Sequence, residues 1–148
     1  MKAKKFNYSS LTELRTDLAK IGFELPLTEN VEILKKKIKI ENSVIPNRIA
    51  IHPMEGADAN DDGTPSDLTR RRYKRFAKSG AGLIWLEAIA VDDTGRANKS
   101  QLYLKKDNLN EFEKLIALIK NESKVDPYLV AQLTHSGRFG ENKIIAFR

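Results

Sequence analysis

The chain contains no cysteine, and its 148 residues include two histidines, two methionines and one tryptophan. Without thiols it can form no disulfide, zinc–thiolate centre or iron–sulfur ligation of its own. His52 and His135 would need a carboxylate partner to bind a metal, so no metal is expected. Aromatic residues make up 7% of the sequence and do not interleave with the basic runs. That argues against a stacking platform for single-stranded nucleic acid. No apolar run approaches the roughly 18 residues needed to cross a bilayer. The N-terminus, MKAKKFNYSS, is basic but has no apolar core of a secretory signal. A cytoplasmic protein that contacts no membrane is expected. The G-x-G-x-x-G and G-x-x-x-x-G-K-[ST] phosphate loops are also missing, which disfavours a dinucleotide-binding Rossmann fold.

What is present reads as globular: 41% hydrophobic and 31% charged residues in a length that suits one domain. The net charge is +6, with 26 Lys and Arg against 20 Asp and Glu. A basic balance suggests anionic partners. However, the runs Lys35–Lys37 and Arg70–Arg72 sit beside acidic residues or at helical spacing. They read as solvated faces, and no specific nucleic acid partner is expected.

Along the chain, Ser10-x-x-Glu13 opens a helix over about 10–21, with Leu11, Leu14, Leu18 and Ile21 on one face and Gly22 as its stop. Residues 31–45 read as a small hairpin ended by Pro46. A β-α-β-α-β alternation follows. RIAIH (48–52) is the first strand. Thr64-Pro65-x-Asp67 offers a helix start with Thr64 as cap and Pro65 at the first helical position. Gly80 ends that helix. GLIWLE (82–87) is a strand apolar on both faces. Asn108-x-x-Glu111 caps a second helix, and YLVAQL (128–133) is the third strand. This order predicts an α/β fold with a parallel sheet. It leaves open a doubly wound sheet or a closed (β/α)8 barrel.

In either completion ligands bind where the strands end. Those ends carry HPME (52–55), EAIAV (87–91) and QLTHSGR (132–138). The acidic DANDDG (58–63) imitates the start of a calcium loop, but Thr69 stands where a bidentate glutamate is needed, so it reads as a polar turn. His52 fits equally a strand-end histidine or a ligand contact. His135, among Gln132, Thr134 and Arg138 on a glycine-loosened loop, reads as a site residue. Glu87 ends an apolar strand, where an unpaired carboxylate is costly. An ion pair with Arg96 or Arg138 is expected.

With PNRIAIHPMEG, GAGLIWLEAIAVDDTGRAN and VAQLTHSGR in this order and spacing, residues 30–140 resemble the old yellow enzyme-like NADH:flavin oxidoreductases. The Q-L-x-H-x-G-R ending is similar to the branch that includes dienoyl-CoA reductases. The resemblance implies a partial (β/α)8 TIM barrel, made of its first three β/α strands with an N-terminal helix and hairpin. Residues 1–30 would be a helical extension and 31–148 the N-terminal part of the flavin-binding barrel, with the hairpin as its floor. The implied cofactor is FMN, with NADH or NADPH as reductant and a small electron-poor molecule as acceptor.

The family's flavin contacts fall on His52, Pro53, Met54, Glu55, Ala88 and Gln132, with His135 and Arg138 as possible supports. A glutamine amide can both donate to and accept from an imide edge. Glu55 stands where the family often has threonine or cysteine. A charged carboxylate facing the ring would disfavour its anionic reduced form, so Glu55 is expected to turn away or to be protonated. Ala57 or a neighbour replaces a tyrosine that some members carry. A barrel of this kind needs roughly 250 residues, and the family's substrate-holding donor pair falls beyond residue 148. The catalytic residues are therefore unknown here. The chain is expected to be a truncated or split gene product, inactive alone and binding FMN weakly, which self-associates or pairs with a missing C-terminal half. The alternatives are a half-barrel subunit and a small non-catalytic basic α/β module.

Overall fold

The computed structural model describes residues 6–140. The chain divides into two compact units, Met1–Ile33 and Leu34–Arg148. In the first, α1 (Leu11–Lys20) begins at Ser10, whose Oγ accepts from the Glu13 backbone N at 3.2 Å. The Glu13 carboxylate reaches one residue further back than a capping box requires, to Ser9 N and Oγ at 3.0 and 2.8 Å. Gly22, at φ +68°, stops the helix. Its N–H donates to Ala19 O and the Phe23 N–H donates to Leu18 O, closing a Schellman motif. No α1 residue is buried.

The second unit opens with a hairpin shorter than expected, β1 (Ile38–Ile40) against β2 (Ser43–Ile45). A 3-10 turn at Glu32–Lys35 occupies the stretch before it. The alternation then appears as β3 (Ala50–Ile51), α2 (Asp67–Lys78), β4 (Leu83–Ala90), α3 (Leu109–Glu122) and β5 (Tyr128–Thr134). The three strands form one parallel sheet in the order β3-β4-β5. Both helices pack on the same face. Tyr73 and Ala77 of α2 and Phe112, Leu115 and Ile119 of α3 form one buried cluster with Ile84, Leu86 and Ile89 of β4. Burying each large side chain there contributes about 1.5–3 kcal/mol. Sequential strand order with both crossovers on one face is the winding of a barrel wall. A doubly wound sheet reverses direction and covers both faces.

The ladder slips by one residue between Leu86 and Ala88, leaving Glu87 as a bulge. Leu86 and Glu87 consequently both turn toward the helices. Leu86 enters the core and Glu87 meets Tyr73. On the other face, Trp85 of β4 is 42% exposed.

Three boundaries differ from expectation. Only Ala50 and Ile51 of RIAIH join the ladder. The cap of α2 is Ser66, not Thr64, because Ser66 Oγ accepts from both Leu68 N and Thr69 N while Thr69 Oγ1 accepts from Ser66 N. Pro65 thus precedes the helix. Asn108 does not cap α3 with its side chain. That side chain points back, accepting from Lys105 N at 2.9 Å and donating to Tyr103 O at 2.8 Å. No helix among the described residues is long and apolar enough to cross a membrane.

Candidate functional site

The C-terminal ends of β4 and β5 lie side by side, and β3 ends lower, at Ile51 beside Ile84; the loops that follow the three strands are joined to one another. The first and second loops are linked by Ala59 N to Ser100 O (3.0 Å), Tyr103 N to Gly63 O (3.0 Å) and Arg96 Nη1 to Asp61 O (2.8 Å). Gly63, at φ +84°, lets the chain come this close, since a Cβ there would lie 2.4 Å from Tyr103 Cβ. The second and third loops are linked by Ser136 N to Gly95 O at 2.8 Å and by a contact of 3.3 Å between Thr94 Oγ1 and His135 Nε2.

The expected site residues gather along this rim. Ala88 and Gln132 are direct partners in the parallel ladder. Met54 is 74% exposed, and its N–H donates to His52 O. His52 and Glu55 are exposed, and Pro53 is half-buried. Gln101, fully buried, ties two of the positions together: its Nε2 donates to Glu55 Oε1 at 3.2 Å and to Ala88 O at 3.3 Å. Burial pushes the Glu55 carboxyl up, the Glu87 charge adds to the rise, and the Gln101 hydrogen bond opposes it. The Gln132 amide has no hydrogen-bond partner among the described residues.

His135 is held by its surroundings. Its Nδ1 accepts from Gly137 N at 3.0 Å. The Thr94 hydroxyl is already engaged with the Asp92 carboxylate at 2.5 Å, so His135 Nε2 carries the proton toward Thr94. These bonds lower the Asp92 carboxyl below its ordinary range. A Cβ on Gly95 would lie 2.7 Å from the imidazole. Arg138 is exposed and stacks over Phe139 at 4.8 Å.

The pairing expected for Glu87 is overturned. Neither Arg96 nor Arg138 reaches it. Arg96 is engaged by backbone oxygens of Asp61, Lys99 and Gln101. Glu87 is 1% exposed and pairs with Arg72, whose Nη2 donates to Oε1 at 2.6 Å. Tyr73 Oη donates to the same oxygen at 3.2 Å and accepts from Glu87 N at 2.8 Å. Gly56 N donates to Oε2 at 2.8 Å. Arg72 also holds Asp58 through Nε at 3.0 Å and Nη2 at 2.8 Å, leaving Nη1 unpartnered. Burial raises the Asp58 carboxyl, but the Arg72 and Thr69 hydrogen bonds outweigh it and hold the group below its ordinary value. Burial, then the Glu87 charge, pushes the Tyr73 hydroxyl up.

The Arg70–Arg72 run is therefore only partly a solvated face. Arg70 pairs with Glu111 at 2.6 Å and Arg72 joins the buried network. Asp58 opens the calcium-like turn, yet its carboxylate serves Arg72 and Thr69. Sequence reasoning missed Arg72, Asp58, Tyr73 and Gln101. The available signal was the buried acid Glu87, which demanded a cation, and Arg72 lies beside the core residue Tyr73 on α2.

Comparison with known proteins sharpens this geometry. A sequence model of the NADH:flavin oxidoreductase / NADH oxidase family matches residues 34–144. An NADPH dehydrogenase of Bacillus cytotoxicus is 32% identical over 104 residues, which make up 69% of this chain and 29% of that protein. The chain thus spans under a third of the length of that curated relative. Among solved structures, 2-naphthoyl-CoA reductase in complex with 2-naphthoyl-CoA aligns with a TM-score of 0.68 and 24% identity, over 75% of this chain and 17% of that one. The old yellow enzyme from Trypanosoma cruzi aligns with a TM-score of 0.62 and 22% identity, over 74% of this chain and 28% of its own. The shared fold is the (β/α)8 barrel, and β3-α2-β4-α3-β5 forms part of it.

Proposed function

The chain belongs to the NADH:flavin oxidoreductase / NADH oxidase family, and from that premise we propose that it supplies the first strands of an FMN-binding barrel in an NAD(P)H-dependent flavin oxidoreductase of the ene-reductase type. The observation that carries this reading is the register of Ala88 against Gln132 at the rim that also bears the 52–55 loop. The residues present suit the group. Gln132 offers an imide edge an amide that has no partner among the described residues, and Ala88 beside it, itself buried, adds no bulk beyond a methyl. His52, Pro53, Met54 and Glu55 would line the flank on the β3 side. His135 and Arg138 would support the β5 side, with His135 fixing the turn that follows the strand.

Bound FMN would supply hydride chemistry between NADH or NADPH and an electron-poor small molecule. This chain's own part is to orient and to set the local charge. Gln132 donates to the edge where negative charge develops. Glu55, with its raised proton affinity, keeps negative charge off the same rim when protonated.

The remaining strands would pair with the free edges of β3 and β5, whether they follow on the same polypeptide or come from a separate one. Trp85 and Leu133, 42% and 60% exposed, lie where such strands and their helices would cover them. Arg70 and Arg72 are paired with acidic residues, which removes them from any basic nucleic acid-binding surface.

The test is flavin content. The protein isolated from its native source should carry FMN in stoichiometric amount, whereas residues 1–148 expressed alone should bind it weakly or not at all. Native protein without flavin absorbance would refute the assignment. Submicromolar binding by residues 1–148 alone would refute the dependence on further strands.

A further inference from the structure

The loop between β3 and α2 holds a shape that its sequence does not favour. Ala57 sits at φ +46°, a region that L side chains rarely adopt. The residues on both sides of it are fastened to one buried group of charges. Gly56 N donates to Glu87 Oε2 at 2.8 Å, and the Asp58 carboxylate takes two bonds from Arg72. Arg72 Nη2 in turn donates to Glu87 Oε1 at 2.6 Å. The guanidinium lies so close to the loop that a Cβ on Gly56 would be 2.2 Å from Nη2. Thr69 Oγ1 adds a bond to Asp58 Oδ1 at 2.8 Å, anchoring the same carboxylate to the first turn of α2. The bulge that turns Glu87 to the helix side makes the arrangement possible.

We infer that Glu87 and Arg72 are positioning residues: together they clamp Gly56 and Asp58, and so fix where His52–Glu55 stand relative to Ala88 and Gln132. The inference rests on the reading that this loop bears cofactor contacts. The clamp's side chains bond none of the proposed cofactor contacts; they hold Gly56 N and the Asp58 carboxylate and so act through the loop's backbone. Two consequences set it apart from ordinary stabilisation. The amide at position 56 is protected by a carboxylate rather than by a strand ladder. Disturbing Arg72 without touching the core should also release the loop while leaving the fold intact.

The experiment compares wild type, Glu87→Gln and Gly56→Ala in the full chain as the cell makes it, with Arg75→Ala as a control on an exposed part of α2. Three quantities are measured: hydrogen exchange of the amide at position 56, cooperativity of thermal unfolding, and FMN affinity from quenching of flavin fluorescence. Glu87→Gln keeps the shape of the side chain but removes the charge that holds Arg72. Gly56→Ala leaves Glu87 in place and expels the guanidinium, so it carries the test if Glu87→Gln does not fold. The expected result is faster exchange at 56 by at least about tenfold, FMN binding weakened about tenfold, and cooperative unfolding retained, with no change for Arg75→Ala. Wild-type exchange rates in both loop variants would overturn the clamp. Faster exchange with unchanged FMN affinity would overturn the positioning role while leaving the cofactor reading intact. If wild type itself takes up no FMN, the cofactor reading and the positioning role both fall, and the exchange rates decide only whether the clamp exists.

Discussion

The tips of β4 and β5 are neighbours in the same ladder, yet they are finished in opposite ways. At the tip of β4 the chain satisfies itself. Glu87 is buried and bound by Arg72, Tyr73 and Gly56, while Ala88 O is met by Gln101. Ile89 is 2% exposed. At the tip of β5, Ile89's ladder partner Leu133 is 60% exposed, and the Gln132 amide has no partner among the described residues. The cause is topological. A parallel strand is covered by the helices of both crossovers that flank it, and α2 and α3 flank β4. Among the described residues β5 has α3 before it and no α-helix after it, only a short 3-10 turn at Gly137–Phe139. The β4 tip is where the chain holds its own loops in place. The β5 tip leaves its polar and apolar groups open.

The largest test of this contrast is Glu87→Ala. It leaves the Arg72 guanidinium with Asp58 alone and takes away the acceptor of the buried Tyr73 O–H, which keeps only the backbone N–H at position 87, so the expected loss is about 3–5 kcal/mol. Denaturant unfolding of the chain measures it. A loss below 1 kcal/mol would mean that the β4 tip is no more self-sufficient than the β5 tip. Next is the pair Ile89→Ala and Leu133→Ala, chosen because the two residues are ladder partners. The first should cost about 2–4 kcal/mol and the second less than about 0.5 kcal/mol. If Leu133→Ala approached the cost of Ile89→Ala, something would already cover the β5 tip in solution, and the comparison would break.

The same contrast explains what could be read from the sequence. The strand-helix order, the single parallel sheet and the stops at Gly22 and Gly80 were legible because each follows from a local pattern: apolar runs, helical spacing and a residue able to take positive φ. The neighbourhood of Ala88 and Gln132 was legible because parallel strands in a β-α-β order bring their C-terminal ends together. The partner of Glu87 was not. It depends on a one-residue slip after Leu86, which sends the side chain to the helix face, and nothing in the alternation of LIWLE marks it. Nor was the choice of Ser66 over Thr64 as cap, which turns on Thr69 answering Ser66 three residues later where a glutamate or glutamine would be the usual sign. The loop-to-loop bonds, such as Gln101 to Glu55, pair residues 46 positions apart and carry no sequence signature.

Gln132→Ala probes the open tip directly. With no partner among the described residues to lose, the side chain should contribute little to folding, and unfolding should shift by less than about 0.5 kcal/mol. FMN affinity in the flavin-bearing protein should fall about tenfold, the equivalent of about 1.4 kcal/mol. Equal losses in folding and in binding would show that Gln132 is a structural group after all.

The smallest expected effect is also the most specific, and it concerns Glu55, which leans toward the closed tip. Its carboxyl is raised by burial and by Glu87, so the folded protein binds the proton more readily than the unfolded chain. The stability associated with protonated Glu55 is therefore complete below its ordinary pKa and is lost as pH rises through the raised value. Glu55→Gln should consequently match wild type at acid pH and exceed it at pH 7, because glutamine can still accept from Gln101 without carrying charge toward Glu87. The residue is exposed as a whole, so solvent screens the effect and the gain should stay below about 0.5 kcal/mol. Asp58 has the opposite sign: its carboxyl is held low by Arg72, and stability falls as pH drops through that depressed value. Wild type and variant share this acid loss, so the difference between their melting curves across pH isolates Glu55. A difference that is flat with pH, or that favours wild type at pH 7, would show that Glu55 does not feel the buried charge at the β4 tip.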